Sequence, residues 1–187
     1  MMLRRLCLVL AALIPLSGCT VLAVGGMVAT TAVVLDSRAI NTQIDDSGLH
    51  LHVVQGIQSD ERLKNQRIRV VAYNGDVLLV GQVASVELKQ RAELKAVESA
   101  TILTVYNELK VGDLNSMLDR SKDSWITTRI KANLLSNNDV DTSGVKVVTE
   151  GSEVFLLGLV NEEAAAHAVA VARNTPGVTR VVRAFSR

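Results

Sequence analysis

The sequence has 187 residues, of which 48% are hydrophobic and 3% aromatic, and its formal net charge is +1. A nearly neutral chain with so few aromatic side chains offers neither a broad basic face nor a stacking platform, so nucleic acid is not an expected partner. The length suits one ordinary domain or two small ones.

The N-terminal segment has the pattern of a secretory leader. Two arginines precede an apolar run over 6–16, which is shorter than the ~20 residues of a spanning helix but fits the hydrophobic region of a signal peptide. The run ends in Leu-Ser-Gly-Cys, residues 16–19, which resembles the lipobox of bacterial lipoproteins. This resemblance implies that residues 1–18 are a signal peptide and that Cys19 carries diacylglycerol. An ordinary signal peptide, or an uncleaved anchor with an incidental cysteine, is the alternative.

Lipidation would determine both the location of the protein and its cysteine chemistry. Several acyl chains anchor a protein firmly, because each buried CH₂ contributes ~0.8 kcal/mol. In bacterial lipoproteins an Asp after the lipidated Cys favours the inner membrane. This chain has Thr20 there, so the resemblance implies an outer-membrane protein that faces the periplasm. With Cys7 removed and Cys19 acylated, the mature chain would keep no thiol for a disulfide, a nucleophile or a metal.

The segment that follows the lipobox is expected to be a lipidated tether over 19–45. Residues 21–35 are apolar and rich in small side chains, and 15 residues with two glycines make a poor spanning helix. The segment could lie against the membrane or pack on the domains, and we favour a flexible tether.

The remainder of the chain is one module that occurs twice. The segment IRVVAYNGDVLLVGQV (68–83) aligns without a gap on VKVVTEGSEVFLLGLV (145–160). After the loss of one residue, ILTVYNEL (102–109) aligns on VTRVVRAF (178–185). Such a duplication predicts two domains of the same fold.

Each copy begins with an amphipathic helix, over about 47–58 and 124–136. Apolar residues recur at i, i+4 and i+8 and predict the buried face of each helix. These residues are Leu49, Val53 and Ile57 in the first copy and Ile126, Ile130 and Leu134 in the second. The predicted N-caps are Asp46 or Ser47 and Asp123 or Ser124.

Two strands, a second helix and a final strand complete each copy. Tight turns at 74–76 and 151–152 separate the first two strands, since Asn-Gly between apolar runs favours a hairpin. The second helix begins near Ser85 or Asn161. The order α-β-β-α-β predicts an α+β fold in which two helices cover one face of a three-stranded sheet. The predicted domains span 46–113 and 121–187. Small domains bury little surface alone, so these two are expected to pack together.

Five stretches resemble a known family: DSRAINTQIDD (36–46), VVAYNGDVLLVGQ (70–82), VYNEL (105–109), WITTRIKANLLS (125–136) and GSEVFLLGLV (151–160). Both copies resemble BON domains, and with its lipobox the chain looks like the dual-BON outer-membrane lipoproteins of Gram-negative bacteria. The resemblance implies that the second domain binds phospholipid and prefers anionic lipid such as phosphatidylglycerol. It also implies a role in outer-membrane integrity and recruitment to division sites.

The outer face of the first helix in the second copy is the candidate contact surface. Leu135 lies opposite the buried stripe, beside Thr128 and Lys131, and breaks the polar pattern of that face. Trp125 adds an amphipathic ring in the first turn. Arg129 and Lys131 could meet lipid phosphates, each basic residue being worth ~1 kcal/mol near an anionic surface. The predicted phospholipid-binding residues are Trp125, Thr128, Arg129, Lys131, Leu135 and Ser136.

The first copy keeps the buried stripe without this outer set. Gly48, Val54 and Gln58 stand where the second copy has Trp125, Lys131 and Leu135. The first helix is therefore predicted to serve packing alone, and the second to serve packing plus contact with an apolar, anionic partner. The alternative is that the Trp and Leu side chains pack against the first domain, because Trp is enriched in interfaces.

No residue pattern indicates catalysis. His50 and His52 are two residues apart and point to different sides of a helix, and His167 is interpreted as a surface histidine. Glu162 and Glu163 suit the start of a helix rather than an acid/base pair. We predict no metal, no cofactor and no enzymatic activity. The two remaining functions are a lipid-binding module and a periplasmic scaffold that docks a protein of envelope assembly, division or cell-wall remodelling.

Overall fold

The computed structural model describes residues 40–112, 117–136 and 140–186. The predicted signal peptide (1–18), Cys19 and most of the predicted tether lie outside these residues. The tether was predicted to extend to residue 45, whereas a helix already begins at Ile40.

Helices and strands follow the predicted order within the described residues. The helices are α1 (Ile40–Gln58), α2 (Val86–Ser99), α3 (Met117–Leu135) and α4 (Glu162–Arg173). The strands are β1 (Arg67–Tyr73), β2 (Asp76–Val83), β3 (Val105–Asn107), β4 (Lys110–Val111), β5 (Val145–Glu150), β6 (Glu153–Leu159) and β7 (Arg180–Ser186). None of the described helices is long and apolar enough to cross a membrane.

Each domain contains one mixed sheet built around a central strand. In the first domain, β2 pairs antiparallel with β1 and parallel with β3 and β4. In the second domain, β6 pairs antiparallel with β5 and parallel with β7. This topology confirms the α+β fold and the α-β-β-α-β order. The final strand of the first domain is split in two, and Leu109 in the gap is buried in the core.

The N-caps predicted for the first helix of each domain are wrong. Because α1 begins at Ile40 and α3 at Met117, Asp46 and Asp123 lie inside their helices. Ser47 and Ser124 likewise lie inside, where each hydroxyl donates to the carbonyl four residues earlier. By contrast, the predicted caps of the second helices, Ser85 and Asn161, each accept a hydrogen bond from a backbone N–H of the first turn.

The two aspartates join the first helix of each domain to its hairpin turn. Asp46 is 6% exposed and accepts hydrogen bonds from the N–H groups of Asn74 and Gly75 at 2.8 and 3.0 Å. Asp123 is 5% exposed and accepts two at 2.7 Å from the N–H groups of the turn 151–152. The turn residues have positive φ in both domains, as the hairpin pattern predicts. We call these contacts the helix–hairpin bonds.

The helices of each domain cover one face of its sheet. Val53, Ile126 and Ile130 are fully buried, and Ile57 and Leu134 are nearly so, which confirms these parts of the predicted buried faces of α1 and α3. Leu49 is only partly buried and packs against the edge of the same core. The second helices contribute small side chains to the same cores, namely Ala92 and Ala96 in α2 and Ala168 and Ala172 in α4. Such side chains let the helices lie close to the sheet.

Glycines at matching positions let the strands of each hairpin approach closely. Gly81 has a φ of +124°, and a Cβ on it would lie 2.0 Å from the carbonyl oxygen of Arg67. Gly158 has the corresponding place in the second domain, where a Cβ would lie 2.6 Å from the carbonyl oxygen of Gly144. Only glycine fits these positions without displacing a backbone.

The other face of each sheet packs against the sheet of the other domain. Apolar side chains from both domains form one buried cluster there. The first domain contributes Val71, Tyr73, Leu78 and Val80, and the second contributes Val148, Phe155, Leu157 and Ala184. This cluster, which we call the sheet–sheet core, fulfils the expectation that the two domains pack together.

Polar contacts surround the sheet–sheet core. Arg67 forms an ion pair with Glu150, to which Gln82 also donates a hydrogen bond. The Tyr73 hydroxyl donates to the carbonyl oxygen of Gly144 at 2.7 Å. Around another part of the rim, Lys110 and Arg180 both pair with Glu153, at 2.8 and 2.9 Å. Two further contacts across the rim join Arg180 to Glu108 and Ser186 to Asp76.

Removing a helix–hairpin bond should destabilise the protein. We expect Asp46→Ala to lower the free energy of unfolding by ~1.5–3 kcal/mol, because the backbone N–H groups at 74–75 would lose a charged acceptor. The neighbouring Asp45 is exposed on the same helix, so Asp45→Ala is the matched control and should change stability by less than ~0.5 kcal/mol. Urea unfolding measures both. Equal losses in the two variants would contradict the assigned role of Asp46.

The domain interface should weaken in acid through Glu153. Burial opposes ionisation of this carboxyl, but hydrogen bonds from Arg180 and Lys110 outweigh it and hold the pKa of Glu153 below its ordinary 4.5. A lowered pKa contributes stability that is complete above 4.5 and is lost as the pH falls through the folded-state value. Glu153→Gln should therefore be less stable than the wild type at pH 7, and the difference in urea midpoint should shrink towards pH 3. A difference that stays constant or widens would refute this.

Candidate functional site on helix α3

Helix α3 presents two large apolar side chains to solvent. Trp125 is 53% exposed and Leu135 is 57% exposed. Their exposure agrees with the outward orientation predicted from the helical period and argues against the alternative that they pack against the first domain.

The predicted residues share one side of the helix. At ~100° per residue, Trp125, Thr128, Arg129, Lys131, Leu135 and Ser136 all fall within an arc of ~160° that excludes the buried stripe. Thr128, Arg129, Lys131 and Ser136 are also exposed. We call this set the outer face of α3. It combines an aromatic ring, a leucine and two cations, and residues 124–136 contain no Asp or Glu.

The two hydroxyl groups of the outer face are used by the helix itself. Thr128 donates to the carbonyl oxygen of Ser124 at 2.9 Å, and Ser136 donates to that of Asn133 at 2.8 Å. In this arrangement neither hydroxyl has a proton to donate to a ligand. Arg129 and Lys131 are therefore the donors that the outer face offers to an anion.

A shallow groove lies beside Leu135. It is lined by Lys131, Leu134 and Leu135 of α3 and by Thr142, Ser143 and Val145 at the start of β5. Thr142 is buried, and its hydroxyl donates to the carbonyl oxygen of Leu134 at 3.3 Å, which holds the loop against the end of the helix. The loop residues were missed by the sequence analysis, because nothing in their pattern places them next to the helix.

The first helix of the first domain has an exposed apolar side chain that the sequence comparison does not predict. Gly48 and Gln58 replace Trp125 and Leu135 in α1, but Leu51 on the same helix is 53% exposed. Leu51 aligns with Thr128 and has no basic neighbour among 47–58 except two histidines. The combination of exposed apolar and cationic side chains is thus specific to α3 among the two first helices.

Of the carboxyl groups with shifted pKa values, Asp60 and Glu153 serve ion pairs away from α3, whereas hydrogen bonds from Ser143 lower the pKa of Asp141 next to the groove. Burial opposes ionisation of Asp60, but the backbone N–H of Arg62 and the side chain of Arg91 outweigh it, so the pKa of Asp60 lies below its ordinary value. Glu153 at the domain interface has a lowered pKa for the same kind of reason. Among the described residues no cluster of three or more His, Cys, Asp or Glu side chains could hold a metal ion. His50 and His52 are both exposed on α1.

Comparison with known proteins identifies the fold and the family. The BON domain pattern matches this chain twice, over residues 45–113 and 122–186. The chain is 38% identical over 184 residues to the outer membrane lipoprotein DolP of Haemophilus influenzae, covering 98% of this chain and 95% of that protein. It is 40% identical over 153 residues to a 21 kDa hemolysin of Actinobacillus pleuropneumoniae, covering 81% of this chain and 79% of that one.

A solved structure also aligns with much of the chain. The CdsD structural protein of the type III secretion system of Chlamydia trachomatis covers 74% of this chain and 91% of its own, with 13% identity and a TM-score of 0.30. The two matches to the BON pattern and the identity to DolP extend over nearly all of the described residues. The chain therefore belongs to the BON-domain family, as a two-domain lipoprotein of the DolP type.

Proposed function

We propose that this protein is a lipid-anchored, periplasm-facing component of the outer membrane that binds anionic phospholipid through the outer face of α3. It thereby supports outer-membrane integrity, and the resemblance to BON lipoproteins favours action at division sites. The observation that carries the proposal is the exposure of Trp125 and Leu135 beside Arg129 and Lys131, on a helix face without carboxylates.

The composition of the outer face suits a membrane interface. Exposed apolar side chains lose contact with water when they enter the boundary between headgroups and acyl chains, and a Trp ring is amphipathic enough to remain there. Arg129 and Lys131 add attraction to phosphate, worth ~1 kcal/mol each near an anionic surface. A neutral or zwitterionic membrane would supply only the apolar part of this energy.

The expected affinity of the outer face alone is low. Two basic residues at ~1 kcal/mol each and partial burial of two apolar side chains sum to roughly 4 kcal/mol, which corresponds to a Kd of ~1 mM. Acyl chains on Cys19 would hold the domains at the membrane and raise the effective lipid concentration that α3 meets. The lipid anchor and the outer face therefore act together.

A second candidate function is a scaffold that docks a protein partner. Helix α2 also exposes an apolar stripe, formed by Val86, Leu94 and Val97, which are 58–61% exposed. The corresponding residues of α4 are Glu162, Ala170 and Arg173. The first domain thus has an apolar surface on its second helix that the second domain lacks, and this asymmetry favours contact with a protein of envelope assembly or cell-wall remodelling.

Tryptophan emission tests the lipid proposal directly, since Trp125 is the single tryptophan of the chain. We expect millimolar phosphatidylglycerol vesicles to shift the emission of residues 20–187 to the blue at low salt, because the ring would leave water. Phosphatidylcholine vesicles should give a much smaller shift, and added salt should reduce the phosphatidylglycerol effect. No shift with either lipid, together with negative flotation, would favour the protein scaffold.

A pair of substitutions on α3 separates binding from folding. Leu135→Gln introduces the residue found at the corresponding position of the first domain and should weaken vesicle binding with a change in stability below ~0.5 kcal/mol. Ile130→Ala removes a fully buried side chain and should lower the free energy of unfolding by ~2–5 kcal/mol. Urea unfolding and flotation measure the two effects. If Leu135→Gln bound vesicles as well as the wild type, the outer face would not be the binding surface.

A further inference from the structure

A cleft runs between the two domains beside the outer face of α3. Strands β1 and β5 are the outer strands of their sheets, and they meet through the Arg67–Glu150 ion pair and the hydrogen bond from Tyr73 to Gly144. Helix α1 packs on β1 and α3 packs on β5. The two strands therefore form the floor of the cleft, and the two helices form its walls.

Basic side chains from both domains line this cleft. Arg69 of β1 lines it together with Lys131 of α3 and Lys146 of β5. Towards the N-terminal end of α3 the cleft continues into a recess, which is also lined by Arg69 and in addition by Arg120 and Thr128. Positive charge thus comes from three separate elements of two domains.

The carboxylates that line the cleft already have partners. Asp46 and Asp123 accept the helix–hairpin bonds, and Glu150 pairs with Arg67. By contrast, Arg69, Arg120 and Lys131 are exposed and form no ion pair with a carboxylate of the described residues. Five basic side chains and three carboxylates line the cleft and its recess, so positive charge is in excess there. A guanidinium group matches a phosphate with two parallel hydrogen bonds.

The basic cleft and the apolar groove beside Leu135 adjoin each other. Lys131 lines both of them. A ligand that has an anionic head and an apolar chain would fill both, whereas free phosphate would leave the groove empty. This continuity favours a phospholipid over a soluble anion.

Resting on the proposed function, we infer that the cleft between the domains holds the headgroup phosphate of an anionic phospholipid. Arg69 of the first domain binds the phosphate together with Lys131, which lines the same cleft, while Arg120 adds positive charge in the adjoining recess and the first part of an acyl chain lies along Leu135. Both domains are then needed for lipid binding, although the outer face belongs to the second domain alone.

Binding of monomeric lipid tests this site without a membrane surface. Short-chain phosphatidylglycerol, below the concentration at which it forms micelles, is titrated into residues 20–187 and followed by amide NMR shifts. We expect Arg69→Gln to weaken binding at least fivefold, with an unchanged melting temperature because Arg69 is exposed. Arg173→Gln removes an equal charge from the exposed end of α4 and should change the affinity less than twofold.

Three other results would each contradict a different part of the proposal. Inorganic phosphate that competed as strongly as the lipid would overturn the lipid assignment and leave an anion site. If Arg69→Gln bound monomeric lipid as tightly as the wild type while Leu135→Gln still bound vesicles poorly, the assignment of the phosphate to the cleft would be wrong and the proposed function would stand. A wild type that bound neither monomeric lipid nor vesicles would overturn both.

Discussion

The sheet–sheet core is the contact on which the rest of the molecule depends. Among the described residues each sheet has helices on one face only, and the other domain covers its second apolar face. Burial of apolar area at ~25 cal/mol per Å² makes this a large part of the stability of two small domains. Because the sheets occupy the centre, the first helices lie on the outside of the pair, and the outer face of α3 stays exposed. The same packing places β1 beside β5 and so creates the basic cleft.

Much of the fold could be predicted from periodicity and duplication alone. Both copies repeat the buried stripe of the first helix and the hairpin at equal spacing. These features depend on residues close together in the sequence, so they can be predicted without knowing the tertiary contacts. The starts of the first helices could not be predicted in this way. Asp46 and Asp123 look like N-caps because Asp favours that position, but their carboxylates bond to turns that lie 28–29 residues further along the chain. A bond between distant segments has no local signature, so the capping pattern was misleading.

The candidate site likewise has some residues that could be predicted from the sequence and others that could not. Leu135 could be recognised because an apolar residue on a polar helix face departs from the binary pattern, and its exposure follows from the helical period. The position of Arg69 next to α3 could not be predicted from the sequence, since it depends on β1 meeting α3 across the domain interface. The exposed Leu51 could not be predicted from the differences between the copies, because its counterpart in α3 is the polar Thr128.

The contacts around the sheet–sheet core have a pseudo-twofold relation. Two pairs of contacts show this relation. In the alignment of the two copies Arg67 corresponds to Gly144 and Tyr73 to Glu150, so the Arg67–Glu150 contact is the counterpart of the Tyr73–Gly144 contact. In the same way the Lys110–Glu153 contact is the counterpart of the Asp76–Ser186 contact. The same patch of each domain thus meets the same patch of the other, as in a symmetric homodimer. Unlike a homodimer, one chain that encodes both halves can vary each half separately. Outside the shared patch, the first helices have diverged, so that α3 combines exposed apolar and cationic side chains while the symmetry-related surface of α1 does not.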